Sequence, residues 1–187
     1  ASFSPDGKWI IFTSERDRDG SGQADLWRVH PDGTGLERLT NEPSMEDAGA
    51  LSPDGRTLAY VSTQGGARTT NIWVMDVATR RTRNLTGDGR KDIPLTMNGN
   101  FRPSWSPNGE WIAFTSDRGE SWKGAEQGAG AGHTQPTSVY VMRADGTGLR
   151  RLTTTAPATA TGSPQWSSDG TKLLVYELPA RDTFGAR

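Results

Sequence analysis

Two stretches of this chain hold most of the side chains capable of chemistry. The first, Asp17-Arg-Asp19-Gly-Ser21-Gly-Gln-Ala-Asp25, alternates oxygen donors around glycine as a calcium loop does, where ligands at every second position turn toward one ion. The twelfth position of such a loop calls for a bidentate glutamate, and Arg28 stands there. The stretch therefore reads as a solvated acidic loop with no cofactor, calcium at Asp17 and Asp19 being the alternative. The second, DRGESWKGAEQGAGAGHTQPT over 117–137, carries Trp122, Lys123, Glu126, His133 and Gln135. An aromatic plane, a cation, an acid, an imidazole and an amide in one loop suit the binding of a ligand or partner. A glycine-rich insertion with no site is the competing reading.

Catalytic signatures are missing from the sequence. There is no cysteine, which excludes disulfides and thiolate chemistry, and no G-x-S-x-G nucleophile elbow. Gly-Thr-Gly at 33–35 and 146–148 is followed by a strand pattern rather than a helix, the wrong context for a nucleotide fingerprint. Glu46 and Asp47 are adjacent, so an extended chain points them to opposite sides and they cannot act as a pair. The formal net charge of -1 offers nothing to nucleic acid or an anionic membrane, and no apolar run approaches the roughly 20 residues that span a bilayer.

The elements that must position these loops come from a repeat. FSPDGKWIIFTS from Phe3 returns as LSPDGRTLAYVS from Leu51, WSPNGEWIAFTS from Trp105 and WSSDGTKLLVYE from Trp166. Equivalent turn positions Asp6, Asp54, Asn108 and Asp169 are 48, 54 and 61 residues apart, the length of a four-stranded propeller blade. Proline presets φ and Asp-Gly tolerates a left-handed corner, so each Pro-Asp-Gly predicts a hairpin turn. The next strand is apolar on both faces, Trp9 and Ile11 against Ile10 and Phe12, as a strand sandwiched between packed sheets requires. The closing segments LERLT, TRNLT and LRRLT are the most polar, so polarity rises toward the rim. Most of the seven tryptophans are expected to wedge between blades rather than stack on a ligand. Asn84-Leu-Thr86 is formally a glycosylation sequon, but the repeat itself generates Leu-Thr, so it reads as incidental.

The string W-S-P-[DN]-G-x-x-I-A-F-x-S, a strand ending V-M-x-x-D-G-T-G and a closing R-R-L-T resemble the TolB-type propeller repeat. Residues 105–116 and 139–153 carry the resemblance best, and it covers most of the chain. It implies an all-β fold, a partial β-propeller of four-stranded antiparallel blades, about three and a half of them. Blade 1 is expected over 1–40, blade 2 over 44–86, blade 3 over 100–153, half of blade 4 over 163–177, and a tail over 178–187. The second copy departs from the pattern at Val77-Ala-Thr-Arg80, which lacks the Asp-Gly turn, and its first strand near Met45–Ala50 is acidic. Both ends fall inside a repeat, so a segment of a longer protein is expected; copies closing a ring through their open blade edges are the alternative.

The resemblance further implies a periplasmic or extracellular setting and a non-catalytic scaffold binding a protein partner or an extended ligand such as a glycan. The same repeat occurs in propellers that precede peptidase domains and in some polysaccharide lyases, which gives the alternative function. Those lyases gather histidines around a metal, whereas this chain has only His30 and His133, and His30 precedes a turn on the opposite face. The short turns are expected to share one face of the disc and the longer, variable connections the other.

Overall fold

The computed structural model describes residues 1–16, 24–64, 70–87, 99–118, 137–153 and 160–178, which form antiparallel sheets in chain order. The first sheet is β1 (Ser2–Phe3), β2 (Ile10–Ser14), β3 (Asp25–Val29) and β4 (Glu37–Arg38). The second is β5 (Glu46–Leu51), β6 (Thr57–Ser62), β7 (Asn71–Asp76) and β8 (Thr82–Asn84). The third is β9 (Asn100–Trp105), β10 (Trp111–Ser116), β11 (Ser138–Arg143) and β12 (Arg150–Arg151). β13 (Ala160–Trp166) and β14 (Leu173–Leu178) pair as the last. Three four-stranded blades and a two-stranded one are the architecture that the repeat predicts.

One piece of local chemistry joins the first and second strands of every blade. In the first, Ser4 Oγ donates to Asp6 Oδ1 at 2.7 Å and accepts the Trp9 amide at 2.8 Å, while the Lys8 amide donates to the same carboxylate oxygen. The Gly7 amide closes the turn on the Ser4 carbonyl at 2.9 Å, with Gly7 at φ 69°, where a side chain is strained. Ser52 with Asp54, Ser106 with Asn108, and Ser167 with Asp169 rebuild the network atom for atom. The Ser-x-[Asp/Asn]-Gly spelling is thus a hydrogen-bond requirement.

The closing Leu-Thr has an equally local cause. The Thr40, Thr86 and Thr153 hydroxyls each accept an amide of the third strand, from Leu26, Ile72 and Val139, at 2.9 Å. The leucine before each threonine donates its amide to the carbonyl of that same third-strand residue. The threonine therefore satisfies a donor that a strand only two or three residues long cannot reach. Within Asn84-Leu-Thr86, Thr86 also donates to Asn71 Oδ1, and Asn84 Oδ1 accepts the Thr86 and Gly87 amides. The turn without Asp-Gly works by substitution: Thr79 donates its amide and hydroxyl to Asp76 Oδ1, and Arg80 takes φ 60°. Arg80 then reaches back to pair with Glu37 of the first blade.

Alternation along the second strand of each blade joins neighbouring sheets. Leu58 and Tyr60 of β6 pack with Ile11, Leu26 and Leu39 of the first blade, while Ala59 and Val61 pack with Ile112 and Phe114 of the third. All four β6 side chains are at most 3% exposed, as a strand covered on both faces must be. Burial of this layer is the main source of stability, at about 1.5–3 kcal/mol per large apolar side chain.

The first strand of each blade lies innermost. Trp105 and Trp166 begin the motif there, and each indole Nε1 donates at 3.1 Å to an inner-strand carbonyl of the preceding blade, Ala50 and Ser104 respectively. These two tryptophans do bridge blades. Glu46, Asn100 and Thr161 near the start of the inner strands donate their amides to Ala24, Thr70 and Thr137 carbonyls of the blade before. Strand β9 begins at Asn100, and β13 at Ala160 rather than 163, because polar side chains at the strand start are buried between blades: Glu46 and Asn100 are 1% exposed and Thr161 2%.

Candidate functional site

Inner strands β1, β5, β9 and β13 stand side by side as one concave wall, enclosing a cavity of about 840 Å³. Pro5, Pro53 and Pro107 of the hairpin turns line one mouth, so the short turns share one face, as their alternation with longer connections requires. A smaller cavity of about 330 Å³ continues along the wall toward the other end, between Met45, Thr70, Thr137 and Tyr176.

Each of the three complete inner strands carries a bulge at the same place, three residues before Leu51, Trp105 and Trp166. The bulged residues are Ala48, Arg102 and Ser163, at φ 54°, 53° and 49°. A left-handed conformation costs a residue with a Cβ roughly 1–2 kcal/mol, so its recurrence marks a geometric need. A bulge bends the strand and re-aims a side chain. All three bulged residues line the larger cavity.

The wall is mostly uncharged, with Ser2, Ser104 and Gln165 among its polar groups; Arg102 and Asp47 are the charged residues on it. Arg102 is exposed and donates from Nη1 to Ser163 Oγ at 3.0 Å. Asp47 accepts from the Thr13 hydroxyl of the first blade at 2.6 Å, and among the described residues neither side chain forms an ion pair. Glu46 points the other way, as an extended chain demands. Its Oε1 accepts from Ser44 and Ser62, its Oε2 is buried without a partner, and burial pushes its carboxyl above the ordinary glutamate range against those two hydrogen bonds.

The turn carboxylates shift in the opposite direction. Asp6, Asp54 and Asp169 are held down chiefly by the serine hydroxyl two residues earlier, Asp169 to about 2. Donors from Thr34, Thr79 and Thr147 do the same for Asp32, Asp76 and Asp145. These anions serve the turns. His30 is likewise occupied on the short-turn side: its ring stacks on Trp9 at 3.8 Å and Nδ1 lies 2.8 Å from the Lys8 carbonyl.

Asp17 and Asp19, and Trp122, Lys123, Glu126, His133 and Gln135, lie outside the described residues. The ends of the long loop are fixed on the face opposite the prolines, where Arg118 donates to Asn100 Oδ1 and Thr137 donates to the Thr161 carbonyl. Among the described residues no group of three or more His, Cys, Asp or Glu side chains could hold a metal ion. No helix among them is long and apolar enough to cross a membrane. The wall residues Ala48, Arg102 and Ser163 are missed by sequence reasoning. The signal that could find them is their constant distance of three residues before the repeat.

Blades stacked around a common concave wall, joined through apolar second strands and each turned by the same Ser-x-[Asp/Asn]-Gly hydrogen bonds, define a β-propeller, here a partial one. Residues 1–121 match the family model of the TolB beta propeller domain, and the chain belongs to that family. It is 32% identical over 167 residues to a protein TolB homolog of Chlorobium luteolum, covering 89% of this chain and 31% of that protein. Similarity to the Tol-Pal system protein TolB of Francisella tularensis is 31% identity over 85 residues, covering 46% of this chain and 19% of that one. The solved structure of a putative TolB from Agrobacterium tumefaciens superposes with a TM-score of 0.70 at 24% identity, covering 95% of this chain and 57% of that chain. The chain thus spans about a third or less of the length of these two curated relatives.

Proposed function

We infer that this chain is a non-catalytic recognition module that receives a segment of a protein partner along its concave wall and the loop-bearing end of that wall. The observation that carries the reading is the repeated bulge, which spends backbone strain to set three different side chains on the wall of a cavity of about 840 Å³. Strain of this kind persists where a surface is held in a fixed form, and loops on a rigid scaffold are where recognition concentrates. Membership of the TolB propeller family, and a relative named for the Tol-Pal system, support a partner in a periplasmic protein assembly. A wall of mixed polar and apolar groups, with Arg102 and Asp47 as its charged side chains and no assembled acid, base and nucleophile among the described residues, suits binding rather than turnover.

Photo-crosslinking tests the reading. A benzoylphenylalanine in place of Ser163 should capture a protein from the envelope of the source cell, whereas one in place of Arg83 on the outer strand should capture none. Equal capture at both positions, or none at Ser163, would overturn it.

A further inference from the structure

The bulge position separates what the fold needs from what the surface offers. Ala48 shows that the left-handed corner holds with a methyl group, and Ser163 that it holds with a hydroxymethyl group. Packing therefore asks nothing of the side chain at the corresponding place in β9, yet Arg102 stands there and keeps its left-handed backbone immediately before Pro103, a position that disfavours helical conformations in general. Its guanidinium carries five donors in a planar fork. The partner it has among the described residues, Ser163 Oγ, is neutral and takes one of them. A cation left with most of its donors facing a cavity is a ready binding site for an anion, and the fork matches a carboxylate in bidentate geometry.

We propose that Arg102, with the Ser163 hydroxyl beside it, is a carboxylate subsite on the concave wall that seats a Glu or Asp side chain of an extended polypeptide. This rests on the reading of the wall as the place where a protein segment binds. Asp47, one blade away on the same wall, repels a second carboxylate and so gives the bound segment a direction, with its acid toward the third and fourth blades and a neutral or cationic residue toward the second. A polypeptide suits the wall better than an acidic glycan. Trp105 and Trp166, the tryptophans of the inner strands, have their indole N–H groups committed to Ala50 and Ser104, so neither offers that donor to a sugar hydroxyl.

The test uses the 187-residue chain and three short probes: acetyl-Ala-Ala-Glu-Ala-Ala-amide, the same peptide with Gln for Glu, and a trimer of glucuronic acid. Binding is followed by NMR on the Arg102 side-chain Nε–H and on the Ala48 and Ser163 amides. The Glu peptide should bind at least fivefold more tightly than the Gln peptide. That preference should vanish in Arg102→Ala, a residue the second blade already holds in the same conformation, and return in part in Arg102→Lys. A Glu preference that survives in Arg102→Ala would overturn the subsite while leaving the wall as a peptide-binding surface. Tighter binding of the glucuronate trimer would overturn the polypeptide as its ligand. Wall signals unmoved by any probe at millimolar concentration would overturn the subsite, and a wall that the envelope crosslink also leaves empty would remove the broader reading with it.

Discussion

The second strands and the inner strands repeat in different currencies. Along β6 and β10 the side chains recur: Leu58 and Ile112, Ala59 and Ala113, Tyr60 and Phe114 hold equivalent places, each at most 1% exposed. Along β5, β9 and β13 the backbone recurs instead, with φ values of 54°, 53° and 49° at the bulge, while the side chains run Ala48, Arg102, Ser163. Close packing explains the first pattern, because a buried site between two sheets tolerates little change in volume. The second pattern shows a scaffold that fixes position and leaves identity open. A repeat protein acquires a specific surface where its geometry is copied and its chemistry is not.

The largest effect expected from breaking this contrast lies in the buried layer. Phe114→Ala should lower stability by about 3–5 kcal/mol through lost burial and the cavity left behind, measured by urea denaturation. A loss below 1 kcal/mol would mean that the blades are not joined through this layer.

Next comes the buried carboxyl near the start of β5. Its pKa is raised by burial, so above about pH 4.5, the ordinary value, the unfolded chain releases this proton before the folded chain does. Stability should therefore fall as pH rises through that range, by up to about 1.4 kcal/mol per pH unit for one proton. The turn aspartates act with the opposite sign in a separate window: their carboxyls are lowered from 3.8, so their support is in place above that value and is lost as pH falls below it. Glu46→Gln, which imitates the amide of Asn100 in the third blade, should abolish the decline above pH 4.5 and leave the acid limb unchanged. Identical pH profiles for the two proteins would show that Glu46 is not a buried carboxyl.

The smallest expected effect is on the wall itself. Ala48→Gly removes the clash of Cβ in the left-handed region and should raise stability by about 1 kcal/mol, read as an upward shift of the thermal midpoint. A destabilised variant would mean that the bulge is held by the alanine side chain and not by the backbone.

The turns and the apolar strands were legible in the sequence because both are specified locally. Ser4, Asp6 and Gly7 determine a turn within a few residues, and Ile112 to Phe114 announce double-sided burial without knowledge of what covers them. The inner strands were legible only in part: a first strand is expected near Met45–Ala50 and β5 spans Glu46–Leu51, but β13 begins at Ala160 rather than 163. Thr161 looks like a loop residue, and its burial depends on a carbonyl of the preceding blade, tens of residues away. The wall site was hidden for a related reason. Arg102 has no motif around it, and its placement follows from a dihedral angle that side-chain patterning does not encode. The loop residues Trp122 to Gln135 attracted notice through chemical variety alone, which says nothing about position.

The indole hydrogen bonds between inner strands carry a consequence for how such a molecule can lengthen or shorten. Trp105 and Trp166 each supply a plug, and the carbonyls of Ala50 and Ser104 are the sockets. A unit that holds both halves can be duplicated, deleted or transplanted beside another of its kind without redesigning the joint. The second blade breaks this interchangeability, since Leu51 has no donor to offer. In place of the indole bond, its junction with the first blade carries the side-chain bonds of Thr13 to Asp47 and of Arg80 to Glu37. The next two seams therefore share a joint that the first lacks, and gene rearrangement should find them easier to cut.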